Sequence, residues 1–406
     1  LKLRSAYRTM LHDLRTNMHR QRQPFAIIVT SIFSAACQPV ACHLNTCAEL
    51  HGNAHQGFAA AGSQMLQLVQ TRTKKDAEDM PCSQMLELFH QDALERKSKY
   101  ISPNGYASVA KLTDIATHAY PSMQTKCDDW GGRNLALQLL ESSKPQIVLV
   151  SHEGPSWQEF SRTLLAANKS MSPFVLVALN SNGGMSEEDQ KITQQFQGLK
   201  ACYSNNLMQT IDTTLFKPLP LGIPSHYEDD LHQKMERIID SLWKSNSLPQ
   251  WEDRDNSVLV IISVRTNPRR QEWMDVLSTS EYQGLVRIVS VSDEDGTTKP
   301  VDEYLKLMSN HKAVLSPPGF GFDTFRTWEA LAVGSAPLID VDVTKTNELD
   351  LRLYEETGAV MASLKQMTPS YLRELISNLQ DPRKFADALK IDNWKQNFQR
   401  HLDLPA

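Results

Sequence analysis

The sequence predicts an α/β protein of two doubly wound parallel-sheet units, on three observations. Apolar runs of strand length occur at residues 145–150, 173–179 and 313–315, with segments of helical spacing between them. The first of these runs is apolar at every position from Ile147 to Val150, the pattern of a strand covered on both faces. A chain of 406 residues is also more than one core comfortably serves, so two units are expected.

Lys2, Arg4, Arg8, Arg15, Arg20 and Arg22 precede the apolar run 25–37. A basic leader before a short apolar segment resembles a secretory signal or a type II membrane anchor, and a buried helix with a basic extension is the other reading. The run is shorter than the ~20 residues of a spanning helix. Gln38-Pro39 interrupts it, and Ser34-Ala35-Ala36 would suit cleavage. Residues 45–100 are polar and weakly periodic, so residues 1–100 read as leader, apolar segment and stem. Cys37, Cys42, Cys47, Cys82 and Cys127 all lie before residue 130, and Cys202 is alone beyond it. Their spacing is not that of a zinc site. One or two disulfides among Cys42, Cys47, Cys82 and Cys127 are expected in an oxidising lumen, and free thiols in a stem are the other reading. Asn168-Lys169-Ser170 is a glycosylation sequon. These features together lean toward the endoplasmic reticulum or Golgi lumen.

Residues 134–140 predict an amphipathic helix, 145–150 a strand, 161–167 a helix and 173–179 the next strand. The helix expected over 229–243 puts Leu231, Met235, Ile238, Ile239 and Leu242 on one side. The polar stretch 245–256 with one proline marks a boundary, giving units at 101–250 and 257–406.

The window 315–339 is the most informative. A strand ends at Ser316-Pro317-Pro318, Gly319 and Gly321 allow a sharp turn and a close approach, and Asp323 is an expected N-cap. Trp328, Leu331 and Ala332 supply an apolar helical face, Gly334 ends the helix, and a strand resumes at Pro337. A loop feeding a helix at the carboxyl end of a strand is where anionic groups bind in α/β folds. Arg326 and Glu329 lie three apart on one helix face, either within reach of that spot or as an ordinary surface pair.

This window resembles the donor-site motif of exostosin-type glycosyltransferases through Ser316, Pro317, Gly319, Gly321, Asp323, Arg326, Trp328, Glu329, Ala330, Leu331, Gly334 and Pro337. Residues 258–270 resemble the strand and basic loop that open the nucleotide-binding unit of that family, and 173–223 the end of its acceptor unit. The resemblance implies a GT-B arrangement: two Rossmann-like doubly wound domains facing across a cleft, with a sugar nucleotide in the second and the acceptor in the first. It implies that Glu329 holds the ribose hydroxyls and that Arg326 and Arg265 offset the diphosphate, with Arg269 or Arg270 in support. Ser316 belongs to the same motif, and Gly319 and Gly321 would present backbone N–H groups. Asp323 would touch the donor sugar or only cap the helix. Arg269-Arg270 also reads as a solvated loop.

An inverting transfer needs a base, and His152 and Glu153 follow the strand ending at Val150, with Asp128 and Asp129 behind them. The related sequences often read His-Asn-Ser-Asp where this chain has Leu179-Asn180-Ser181-Asn182, a loss of two ionisable groups. The expected partners are a UDP- or GDP-linked sugar donor and a glycan or glycoprotein acceptor, with no metal and no other cofactor. A homo- or heterodimer is compatible with the sequence. A net charge of −5 argues against a general nucleic-acid binder. No Gly-x-Ser-x-Gly elbow or paired-carboxylate motif points to a hydrolase. The competing expectation is a catalytically silent subunit that keeps the nucleotide pocket.

Overall fold

The structure, a computed structural model, describes residues 99–100, 106, 109–110, 112–113, 121–152, 154–167, 169–179, 184–207, 211–224, 231–245, 247–290, 300–342, 351–354 and 357–402. The apolar run 25–37, the stem up to residue 98, Cys37, Cys42, Cys47, Cys82, Glu153, Asn168, Asn180, Ser181 and Asn182 lie outside these residues, as do the side chains of Cys127, Asp128 and Asp129. No described helix is long and apolar enough to cross a membrane.

The first sheet is parallel throughout, in the order β1 (Leu112–Thr113), β2 (Gln146–Ser151), β3 (Phe174–Leu179), β4 (Leu199–Ser204) and β5 (Phe216–Pro218). Ile147 and Leu149 enter one apolar cluster, and Val148 and Val150 enter another on the opposite face. That alternation is why the run is apolar at every position: each face of the sheet has its own cover. The cover on the second face includes α1 (Pro121–Glu141) and α2 (Pro155–Ala167), both longer than the sequence suggests. Gly132 lets these helices meet, since a Cβ there would lie 1.9 Å from the Ser156 carbonyl oxygen. Helix α3 (Glu187–Thr193) carries a capping box in which Ser186 and Asp189 bond each other's backbone N–H.

After α4 (Leu231–Lys244) the chain enters the second sheet. Its strands are β6 (Asp255–Val260), β7 (Val286–Ile288), β8 (His311–Ser316), β9 (Ala336–Asp340) and β10 (Val360–Ala362). They are parallel, in the order β7-β6-β8-β9-β10. The described helices of this unit are α5 (Pro268–Leu277), α6 (Val301–Ser309), α7 (Phe325–Ala332), α8 (Pro369–Ser377) and α9 (Ile391–Arg400). Strand β6 stops at Val260, earlier than the apolar run implies, and the chain turns through a short 3-10 segment at Val264–Thr266.

The two sheets share a core. Leu259, Ile261, Val314 and Ile339 belong to the same buried cluster as Ile147, Leu149, Val175 and Val177. Helix α9 returns to the first unit, where Phe398 packs edge-on to Tyr203 at 4.7 Å and His401 meets the Tyr203 hydroxyl at 3.0 Å. Arg254, between the sheets, donates to the Val333 and Gly334 carbonyl oxygens and to Ser335 Oγ, closing the carboxyl end of α7. The loops leaving β4 and β5 meet the loop leaving β8, so carboxyl ends of the two sheets face each other.

Candidate functional site

The second sheet reverses direction between β6 and β8: the chain runs outward to β7, then crosses back to continue through β8, β9 and β10. In open parallel sheets the crevice beyond the carboxyl ends at such a switch point is where ligands bind. Here it is bounded by residues 261–267 after β6 and 317–324 after β8. Asn267 Nδ2 donates to the Gly319 carbonyl oxygen at 2.9 Å and joins the two loops.

Arg270 strengthens that joint. It is buried, and its guanidinium donates to the carbonyl oxygens of Pro318 (2.7 Å), Ser263 (3.2 Å) and Pro317 (3.4 Å). All three acceptors are neutral, so the charge has no carboxylate opposite it. Burial, then the nearby positive Arg326, push its pKa down to about 10. Arg269 differs. Its guanidinium pairs with Asp340 at 2.7 Å, with Asp342 at 3.1 Å and with Glu272, and its charge is matched before any ligand arrives. Arg265 is exposed on the 3-10 segment after β6.

The structure gives the two glycines a steric role, and it turns the Gly319 N–H inward. The Gly319 N–H donates to the Gly321 carbonyl oxygen at 2.9 Å. A Cβ on Gly319 would come within 2.9 Å of the Arg270 guanidinium, and one on Gly321 within 2.6 Å of Asn206 Nδ2. They are small because Arg270 and Asn206 occupy the space. Ser316 Oγ is buried between the Thr324 and Thr327 hydroxyls, at 2.9 and 2.8 Å.

Asp323 is not the N-cap of α7. That position is Thr324, whose side chain makes no capping bond. Asp323 sits one residue earlier, buried, and its carboxylate accepts from Leu221 N (2.7 Å), Thr324 N (2.9 Å), Trp328 Nε1 (2.9 Å) and the Tyr354 hydroxyl (3.1 Å). Its own N–H donates to Asn206 Oδ1 at 2.6 Å. Leu221 and Asn206 belong to the first unit, so Asp323 is a joint between the units. Burial raises its pKa to about 6 against the pull of these donors.

Arg326 and Glu329 project from the first turns of α7. Glu329 is buried and accepts a 2.7 Å hydrogen bond from the Tyr304 hydroxyl of α6. Burial raises the Glu329 pKa, and Arg326 and the phenol oppose the rise. Arg326 Nε is buried with no hydrogen-bond partner. The switch point thus gathers Arg270, Arg326, Tyr304 and Glu329, whose charges act on one another.

In the first unit, His152 follows β2 and is buried, its ring 4.8 Å from that of Trp157. Both ring nitrogens lack a hydrogen-bond partner, and Nε2 is 3.6 Å from Asp189 Oδ2. Burial lowers its pKa to about 4, so the ring is neutral at pH 7. Leu179 lies in the core. Tyr304, Asn206, Asn267 and Tyr354 escape sequence reasoning. Tyr304 shares the apolar spacing of Leu305 and Met308 and reads there as core.

No curated protein matches the chain. Among solved structures, the α,α-trehalose-phosphate synthase (UDP-forming) of Burkholderia xenovorans, in complex with glucose-6-phosphate, aligns at 9% identity and TM-score 0.39, covering 67% of this chain and 76% of that one. MurG of Acinetobacter baumannii aligns at 11% identity and TM-score 0.36, covering 67% and 77%. Residues 242–404, which hold the second sheet, the switch point and α9, match the family model described as RXYLT1 C-terminal domain.

Proposed function

We propose that the protein is a sugar-nucleotide-dependent glycosyltransferase, moving a sugar from a UDP- or GDP-linked donor to a glycan or glycoprotein acceptor. The observation that carries this reading is the pair Arg270 and Arg326: two guanidiniums of like charge at the switch point, Arg270 donating only to carbonyl oxygens, and Arg326 with a buried Nε–H that has no partner and with only Glu329 acting against its charge. Two such charges repel each other and are costly to bury unless an anion comes between them. A diphosphate supplies that anion, with exposed Arg265 in reserve and the positive end of α7 adding to the field. Glu329 then accepts from the ribose hydroxyls.

Charge grows on the diphosphate as the bond to the sugar breaks, and both guanidiniums act more strongly on it in the transition state. The cations provide what a metal would otherwise provide, so we infer transfer without a metal, and with inversion. His152, a neutral imidazole, is the candidate base in the first unit, together with Glu153. The leader and apolar run support a lumenal setting in the Golgi or endoplasmic reticulum.

A second reading, a nucleotide-sugar-binding subunit without turnover, is favoured by Leu179. The position at which the related sequences carry an ionisable group is here a core residue. Thermal shift of the full chain with UDP, GDP, CMP and their sugar conjugates tests both. A shift with one nucleotide and slow release of its sugar to water or glycan acceptors supports the enzyme; a shift without any turnover supports the subunit. No shift with any nucleotide refutes both.

A further inference from the structure

Glu329 has Arg326 one turn away on α7, the spacing at which opposite charges pair on a helix. Its carboxylate nevertheless bonds the Tyr304 hydroxyl at 2.7 Å, while Arg326 Nε stays buried without a partner. A helix-surface pair would close on itself; here a third side chain stands between the two, since the Tyr304 phenol bonds Glu329 and interacts with the Arg326 guanidinium as well. Resting on the nucleotide reading above, we propose that Tyr304 is a positioning residue for that site. Its phenol occupies Glu329 Oε2, fixes the carboxylate plane, and leaves Oε1 to accept from the ribose of a nucleoside diphosphate.

Two further features fit. Tyr304 comes from α6, so the bond ties the helix before β8 to the helix after it, across the switch point. The phenol also feels the charges of both Arg326 and Arg270, which places it beside the diphosphate position rather than at the rim. Without the phenol, the carboxylate would swing to Arg326. That would neutralise the guanidinium meant for phosphate and withdraw the acceptor meant for ribose at the same time.

The test is titration calorimetry of Tyr304→Phe against UDP, GDP and CDP, and against the 2′-deoxy and 3′-deoxy forms of whichever binds the parent protein. A hydrogen bond to a charged group is expected to count for about tenfold in affinity, so Tyr304→Phe should weaken the ribonucleotide by that factor. The deoxy form, lacking the hydroxyl that Glu329 would bind, should weaken by no more than about threefold. Glu329→Gln, made with Tyr304 intact, should show the same loss of discrimination, and the double variant should lose little more than either alone. An equal loss for ribo and deoxy ligands, or none, overturns the assignment. A parent protein that binds none of the three nucleotides overturns the nucleotide reading and this assignment together. If Tyr304→Phe fails to fold, Tyr304→Met, which fills the space without the donor, decides: discrimination between the ribo and deoxy forms lost supports the assignment, and discrimination retained overturns it.

Discussion

Replacing Asp323 with asparagine removes the charge at the joint between the two units while keeping its shape. Four donors converge on this buried carboxylate, one of them Leu221 N from the first unit at 2.7 Å. An amide has one acceptor oxygen, so at least one buried donor then faces an NH2 group, at a cost of about 1–3 kcal/mol. A second effect depends on pH. Burial raises the Asp323 pKa from 3.8 to about 6, so between those values the folded protein holds a proton that the unfolded chain has lost. The contribution of this carboxyl to stability is therefore full below 3.8 and is lost as pH rises through 6. At about 1.4 kcal/mol for each pH unit between the two values, the loss from pH 4 to pH 7 is about 2–3 kcal/mol. The asparagine amide does not titrate, so the stability gap between wild type and Asp323→Asn should shrink by that amount over the same range. Urea denaturation followed by tryptophan fluorescence, both variants at pH 4, 5, 6 and 7, measures it. A gap that stays constant, or that widens with pH, would refute the reasoning and show that the four donors outweigh burial.

Three further outcomes are expected. Arg326→Met should weaken binding of the preferred nucleoside diphosphate by about tenfold or more, with little change in melting temperature, because a repulsion between guanidiniums is relieved while the buried Glu329 loses its nearby cation. Calorimetry and a thermal melt check both halves. Arg269→Ala should do the reverse: Asp340, whose side chain is 0% exposed, loses its cation, and stability should fall by about 3–5 kcal/mol with nucleotide affinity kept in the folded fraction. Gly132→Ala should destabilise the first unit by about 1–3 kcal/mol, since its Cβ would sit 1.9 Å from the Ser156 oxygen and push α1 off α2. A Gly132→Ala variant as stable as the parent in urea would mean that the two helices can separate at no cost.

The strands are the legible part of the fold. Residues 147–150 and 174–179 are apolar throughout because each sheet is covered on both faces, and a run of that kind is visible in sequence without any partner being known. Helix lengths are less visible: α1 begins at Pro121, well before the amphipathic stretch at 134, in a segment with no apolar stripe. In the site, the sequence shows that Gly319 and Gly321 must be small but not what fills the space. Arg270 and Asn206 are about 50 and 115 residues away along the chain, and only the fold brings them there. The cap expected at Asp323 is off by one residue for a similar reason. A carboxylate before a helix reads as a cap, whereas its main partners are Leu221, Trp328 and Tyr354, two of them distant in sequence. Tyr304 gives no signal at all, because a hydroxyl on an apolar helix face declares its purpose only when its acceptor is seen.

The arginines around the switch point show why residue type alone could not sort them. The sequence reading puts Arg326 and Arg265 first and Arg269 or Arg270 in support, on the resemblance alone. What separates them is what already opposes each charge. Arg269 has Asp340, Asp342 and Glu272, so a phosphate would have to compete with carboxylates held in place by the fold. Arg270 has only carbonyl oxygens: its geometry is satisfied, and its charge is not. Arg326 has no partner for Nε, but its charge already acts on Glu329 and on the Tyr304 phenol. A guanidinium can bind an anion in proportion to the charge left over after the protein has taken its share, and by that measure Arg270 comes first, Arg326 beside Glu329 second, and Arg269 last. Burial then works in favour of the ligand. A depressed Arg270 pKa is the sign of a charge held in an unfavourable place, and on the proposed function an incoming diphosphate would recover that energy on binding. The same logic gives the proposed role of Tyr304, whose bond to Glu329 would keep that carboxylate from closing fully on Arg326.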